Sequence, residues 1–252
     1  MVDYHLLEKH KIWLDDVSNQ DIGLVLQGPF RLSAPVPKVT KISIPGRNGD
    51  LHYYDGSYEN RVGEVGCYLY RDSDVKKAFG EVHNWLFSNL GYRRLETSDD
   101  ADHFMLARPI NGADMMPRIN RLSPFDLSFD CKPQRFLKIG EEPVIFTKPA
   151  DVSEVTVTIE NPTVFTSKPL YKLTGSGEGR FLIGVHGVMI VDMDGDIYFD
   201  AETESAYRGS ENMNSKFMFT VSDSLEIQGG KQEITIGGGI TQVEIIPRWW
   251  EL

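Results

Sequence analysis

The residues best spaced for chemistry are three alternating aspartates, Asp192, Asp194 and Asp196, in the run VDMDGDIYFD. Alternating carboxylates suggest calcium. An EF-hand loop needs Gly at its sixth position and Glu at its twelfth, and this chain has Ile197 and Thr203 there. The favoured reading is an acidic hairpin turn built on Asp-Gly, with an irregular calcium site as the alternative. The Gly-rich run GSGEGR at 175–180 lacks the Lys-Ser/Thr ending of a phosphate loop and the spacing of a dinucleotide fingerprint. It is expected to form a tight β-turn between two strands.

Other chemistry finds no better footing. His5, His10, His52, His83, His103 and His186 form no HExxH, and none has metal-ligand spacing to a Cys or carboxylate. No GxSxG elbow exists. With 37 acidic residues some carboxylate pair is always available, so paired-carboxylate hydrolysis carries no signal. Cys67 and Cys131 are too few for a disulfide framework and too far apart for a zinc site, and are read as free, buried thiols. Trp249 and Trp250 could stack on sugars, but closing the core at the end of the last strand is the preferred reading. No residue is therefore assigned to catalysis, to a cofactor or to a metal, and no enzyme activity is expected.

The elements that carry these residues are mostly strands. Ile22 to Leu26, 39–44, Val65 to Tyr70, Phe104 to Ala107 and Leu127 to Cys131 read as strands, the last with Pro133 after it. One helix is predicted over 74–90. Ser73 and Asp74 are cap-type residues. Val75, Phe79, Val82 and Leu86, widened by Ala78 and Trp85, form an apolar stripe. His83 falls off that stripe, and Gly91 is read as the left-handed stop. Residues 136–152 read as a link, dividing the chain into 1–137 and 138–252. Beyond the link, Val155, Val157 and Ile159 alternate with polar residues. Short strands are then expected at 170–173, 181–185, 188–191, 197–199, 217–221, 225–227, 234–236 and 243–246, a sandwich or jelly-roll spacing.

Composition excludes several classes. Lys plus Arg is 26 against 37 Asp plus Glu, a formal charge of −11. A dedicated nucleic-acid binder needs a basic excess, so no sequence-specific nucleic-acid binding is expected. MVDYHLLEKHKIWLDD has early acids and no apolar h-region, so it is not expected to act as a signal peptide. No run of 18 uncharged apolar residues occurs, so no membrane insertion is expected.

The most distinctive local motif is a strand running into PGRNGDL and then, after a Tyr- and Gly-bearing loop, YENR. These are Ile44, Pro45, Gly46, Arg47, Gly49, Asp50 and Leu51, then Tyr58, Glu59, Asn60 and Arg61. Arg47 and Asp50 could form an ion pair shaping the loop. The turn serves either its own subunit's structure or a contact with a partner.

This stretch, from DIGLVLQGPF to VGCYLY, resembles the opening of the distal tail (Dit) proteins of siphophages. NPTVFTSKPLYKLTGSGEGRFLI, IYFDAETESAY and the closing PRWWEL are similar to that family's C-terminal domain. The resemblance implies a mainly β chain: an N-terminal β-sandwich with one helix, and a C-terminal galectin-like β-sandwich of jelly-roll type. It implies the short form, with no inserted carbohydrate-binding module. It further implies a homo-hexamer in one or two rings, a baseplate hub in the virion made in the host bacterial cytoplasm. The implied partners are the tail tube protein, the tail-associated tip protein and a receptor-binding protein. The alternative is a carbohydrate-binding host-adhesion module using the C-terminal sandwich, with Trp249, Trp250, Tyr198 and Tyr207 as the aromatics to check.

Overall fold

The computed structural model describes residues 9–70, 75–111, 122–220 and 225–252. Internal contacts divide the chain into two compact units, Met1–Arg135 with Leu252, and Phe136–Glu251.

The first unit contains β1 (Ile12–Leu14), β2 (Val17–Ser18), β3 (Leu24–Leu26), β4 (Arg31–Leu32), β5 (Pro37–Ile42), β6 (Leu51–Tyr58) and β7 (Arg61–Tyr70). After them come α1 (Val75–Phe87), β8 (Arg93–Thr97), β9 (Asp100–Pro109) and β10 (Leu122–Leu137). The main sheet runs β2-β1-β8-β9-β10-β7-β3, with β4 also on β7. It curls, because Ile12 and Leu14 at one end share a buried cluster with Leu24 and Leu26 at the other. Period-two burial explains the pairing: Val65, Cys67 and Leu69 on β7 and Leu127, Phe129 and Cys131 on β10 all point inward. Both cysteines are free and buried. Burial pushes their thiols above the ordinary range, Cys131 to about 12.

Helix α1 covers this core with Ala78, Val82, Trp85 and Leu86, all buried, while His83 is exposed. The expected caps Ser73 and Asp74 lie outside the described residues. The expected stop at Gly91 is corrected: the helix ends at Phe87, and Gly91 is absent from the positive-φ residues. Instead, Arg93 reaches back and donates through Nη1 to the Trp85 carbonyl at 2.5 Å. Its Nε is held by Asp15 at 2.7 Å. A charged donor satisfies the orphan carbonyl that a left-handed glycine would otherwise serve.

Two further expectations change. β10 continues through Pro133 to Leu137; its pairing with β7 ends at Cys131↔Arg61, so the proline interrupts no bond of that ladder. The supposed link at 136–152 holds the end of β10, a 3-10 turn over Lys138–Glu141 and a strand, β11 (Val144–Thr147).

The second unit continues with β12 (Glu154–Asn161), β13 (Leu170–Ile183), β14 (His186–Asp200), β15 (Ser205–Arg208), β16 (Glu211–Asn212), β17 (Phe217–Phe219), β18 (Gly230–Ile246) and β19 (Trp250–Glu251). Val221 of the expected strand 217–221 lies outside the described residues. The long strands β13, β14 and β18 each pass through both layers of a sandwich. One layer holds β11, the second half of β18, the first half of β13, the second half of β14, β15 and β16. The other holds β12, the first half of β18, the second half of β13, the first half of β14 and β17. Tyr171, Phe199 and Val243 face Phe181, Ile190 and Ile236 in one core. The Tyr171 and Phe181 rings meet edge-on at 5.3 Å, and the Tyr171 hydroxyl donates to the Leu225 carbonyl at 2.7 Å.

The strands expected at 170–173 and 181–185 are thus one strand, as are those at 188–191 and 197–199. GSGEGR is a bend inside β13 with a register shift between Gly177 and Gly179, not a turn between two strands. VDMDGDIYFD is likewise the bend of β14, with left-handed Asp192 and Gly195. Local glycines signal a change of direction, and only the distant partner β18 decides that the chain bends there instead of reversing.

Candidate functional site: an exposed hairpin clamped at its root

Strands β5 and β6 form a two-stranded sheet of their own, paired from Pro37↔Tyr58 to Ile42↔Leu51. Every residue from 36 to 56 is exposed. The register puts Thr40, Ile42, Leu51 and Tyr53 on one face and Val39, Lys41, His52 and Tyr54 on the other. Leu51 is 44% exposed, Ile42 46% and Tyr53 61%. The expected strand 39–44 is shorter at its end than anticipated. Pairing stops at Ile42, and Ile44 to Arg47 make a turn closed by the Arg47 N–H donating to the Ile44 carbonyl at 3.1 Å. Pro45 at the second position and Gly46 at the third, φ +79°, are the residues a type II turn requires. Gly49 is also left-handed, φ +81°.

The tip motif is therefore an exposed turn. Pro45, Gly46, Arg47, Gly49 and Asp50 are all exposed. Among the described residues Arg47 and Asp50 form no ion pair, so backbone conformation, not the expected charge pair, shapes the loop.

The root is the opposite. Tyr58 is half-buried, and Tyr54 packs against it edge-on with centroids 6.1 Å apart. A hydrogen bond with Tyr58, then the partial desolvation that goes with it, push the Tyr54 phenol up to about 12. Asn60 donates through Nδ2 to the Tyr92 hydroxyl at 2.7 Å and to Asp130 Oδ1 at 2.9 Å. The Tyr92 hydroxyl donates to Asp130 Oδ2 at 2.8 Å, and Arg108 Nε donates to the same oxygen at 3.0 Å. Arg61 is buried and donates through Nε to the Ser33 carbonyl at 2.6 Å. The YENR motif thus ties the end of the hairpin to β10, to Tyr92 and to the segment that leads into the hairpin. Tyr92, Arg108 and Asp130 carry no local motif, and pairing brings them to Asn60 from far along the chain. Only the Asn of YENR hinted at them.

This clamp is acid-sensitive. Burial pushes the Asp130 carboxyl up, but hydrogen bonds from Tyr92, Asn60 and Arg108 outweigh it and hold it below 3.8. A lowered native value means the stabilisation is complete above the unfolded value and is lost as pH falls through the native one. Asp130→Asn is expected to cost about 1–3 kcal/mol at neutral pH, the worth of charged hydrogen bonds. Its difference from wild type shrinks as pH falls below the ordinary carboxylate value of 3.8. Thermal melts from pH 7 to pH 2 check this, and a constant gap across that range refutes it.

Elsewhere, of the three aspartates of β14 only Asp196 has its carboxylate engaged, while Asp192 and Asp194 accept through their backbone carbonyls. Asp196 accepts from Thr174 Oγ1 at 2.7 Å and pairs with Lys172 at 3.2 Å. The Asp192 and Asp194 carbonyls accept from Lys216 and Arg208. Among the described residues no group of three His, Cys, Asp or Glu could hold a metal. Trp249 is buried, and Trp250 stacks on Phe165 at 4.4 Å. No helix among the described residues is long and apolar enough to cross a membrane.

No family model matches the sequence, and no curated protein matches it. Solved structures do. The crystal structure of the Dit protein of phage SPP1, described as a paradigm of the hub adsorption apparatus in phages infecting Gram-positive bacteria, aligns with a TM-score of 0.72. The alignment covers 96% of this chain and 99% of that one at 14% identity. A chain of the phage p2 baseplate in its activated conformation aligns with a TM-score of 0.53 at 10% identity, covering 94% and 96%. Over nearly its whole length, then, this mainly β chain has the fold of a phage Dit hub protein.

Proposed function

We propose that this chain is a non-enzymatic structural protein of a siphophage tail, a Dit hub protein at the distal tip of the virion. In this reading 1–137 is the ring-forming hub domain and 138–252 the galectin-like domain. Six copies close a ring, in one or two layers. The ring joins the tail tube protein to the tail-associated tip protein and supports a receptor-binding protein. Synthesis is in the host bacterial cytoplasm.

The observation that carries the reading is the exposed hairpin, together with the fold shared with the SPP1 hub. An isolated two-stranded hairpin is at best marginally stable in water. This one shows apolar side chains on both faces and is fixed at its root. A neighbouring copy completes it. Head-to-tail contacts close into a ring when the rotation allows. Pro45, Gly46, Arg47, Gly49, Asp50, Tyr58 and Arg61 then belong to the contact: the first five as its tip, the last two as its root.

Light scattering after size exclusion, with negative-stain images, tests this. A mass of six or twelve chains and ring-shaped particles are expected. A monomer at every concentration, alone and with its tube and tip partners, rejects the hub.

The second reading, a carbohydrate-binding module, rests on Tyr198 and Tyr207, half-buried and stacked at 5.6 Å across β14 and β15. Trp249 and the stacked face of Trp250 are already covered. A glycan array is expected to show no binding, and a saturable hit lost on Tyr198→Ala would restore this reading.

A further inference from the structure

Two Asn-Gly pairs occur in the chain, Asn48-Gly49 and Asn111-Gly112. The dipeptide has a reactivity of its own. The glycine nitrogen can attack the carbonyl carbon of the Asn side chain, because no Cβ on the glycine crowds the approach. How the fold holds the Asn amide decides whether that attack is open.

The two pairs are held in opposite ways. Asn111 is half-buried, and its amide is fixed at both ends. Oδ1 accepts from the Ser128 N–H at 2.7 Å, and Nδ2 donates to the Asp126 carbonyl and to Ser128 Oγ, each at 3.3 Å. Its carbonyl carbon cannot swing onto the next nitrogen without breaking these bonds. Asn48 is exposed, in the loop between β5 and β6. Among the described residues neither its side chain nor the Gly49 N–H makes a hydrogen bond. Gly49 has nothing within 4 Å of the place a Cβ would take. The related pair of the same hairpin, Asp55-Gly56, is not open in this way, since Asp55 Oδ1 accepts from the Ser57 N–H at 2.9 Å and from Ser57 Oγ at 2.6 Å. A polar loop tip is also where the backbone is least tied down.

We propose that Asn48-Gly49 is a site of spontaneous covalent modification, at which the folded chain turns an amide into a carboxylate. The Gly49 nitrogen bonds to Asn48 Cγ and closes a cyclic imide. The Cγ–Nδ2 bond breaks, and Nδ2 leaves as ammonia with the proton that the Gly49 nitrogen gives up. Water then adds to either imide carbonyl and reopens the ring. One opening gives aspartate. The other gives isoaspartate, in which the backbone runs through the former side chain. The sum is amide plus water to carboxylic acid plus ammonia, and nothing is oxidised or reduced. The product sets a new negative charge between Arg47 and Asp50 at the hairpin tip, a change of the kind that alters contacts through local electrostatics. The reaction itself does not depend on the hub reading.

The test follows the full-length chain, kept dilute at mildly alkaline pH, by peptide mapping with mass detection over time. Asn48 is expected to convert faster than Asn111 by about tenfold or more, since the hydrogen bonds that hold Asn111 must open first. In denaturant the two rates are expected to converge, because only the fold tells the sites apart. The product at 48 is expected to be a mixture of aspartate and isoaspartate. Asn48→Gln, which would have to close a larger ring, is expected to leave position 48 unmodified over the same period while Asn111 behaves as in wild type. Equal rates for Asn48 and Asn111 in the folded chain overturn the proposal. So does a rate gap that persists unchanged in denaturant, which would make it a property of local sequence and not of the fold. Aspartate without isoaspartate overturns the imide route.

Discussion

Leu51→Glu combined with Tyr53→Glu is expected to give a chain that folds like wild type and does not form rings. Both residues lie on one face of β6 and are 44% and 61% exposed. Substituting exposed residues away from special features usually changes stability by no more than about 0.5 kcal/mol. The isolated chain therefore loses almost nothing. On the proposed hub reading the same face is covered in the ring. Central apolar contacts of an interface are worth roughly 2–4 kcal/mol each on truncation, and a buried glutamate adds its own desolvation cost. Two such losses correspond to an association weaker by about 1,000-fold or more at each interface. Every copy of a ring carries the defect twice, once through its own hairpin and once through the hairpin it receives. Sedimentation velocity across a concentration series, paired with a thermal melt, reads both halves of the prediction. A double variant that sediments with the wild-type mass removes this hairpin face from the interface. A variant that melts well below wild type shows instead that the face packs within its own chain.

How much of this was legible in the sequence depends on whether the signal was local. The helix was readable because Ala78, Val82, Trp85 and Leu86 recur at helical spacing. Its end was not, because the residue serving it, Arg93, acts through a long side chain and not through a cap position. The tip turn was readable from Pro45-Gly46, since their backbone preferences need no outside partner. The clamp was half-readable: YENR stood out as a motif, but Tyr92, Arg108 and Asp130 reach Asn60 only once β7 and β10 pair. The long strands were misread for the same reason. Glycine at 175, 177 and 179, and Asp194-Gly195, look like chain reversals. The resemblance to Dit proteins supplied what spacing could not, the order of elements over the whole chain.

The bend in the second unit carries the other large effect. Gly239→Ala is expected to cost about 3 kcal/mol or more, at the upper end of overpacking penalties, and to lower the melting temperature of that unit by roughly 10 °C. A Cβ at Gly239 would stand 1.8 Å from the Ser176 carbonyl oxygen and 3.1 Å from that of Glu178. The reciprocal approach also clashes, with a Cβ at Gly175 standing 2.3 Å from the Gly239 oxygen. These are backbone atoms of two paired strands, so no side chain can turn aside, and relief requires parting β13 from β18 where both cross between layers. Gly177→Ala is the informative control. Gly177 has φ +75° but open space around its Cβ position, so it should lose only the left-handed penalty of about 1–2 kcal/mol. A tight turn at GSGEGR would reverse the order, since the left-handed glycine at its apex would matter most and Gly239, far away in sequence, would not matter at all. Melting both variants, with amide exchange along β13 and β18, therefore tests the architecture. If Gly239→Ala melts within a few degrees of wild type while Gly177→Ala does not, the bend is wrong and the turn is right.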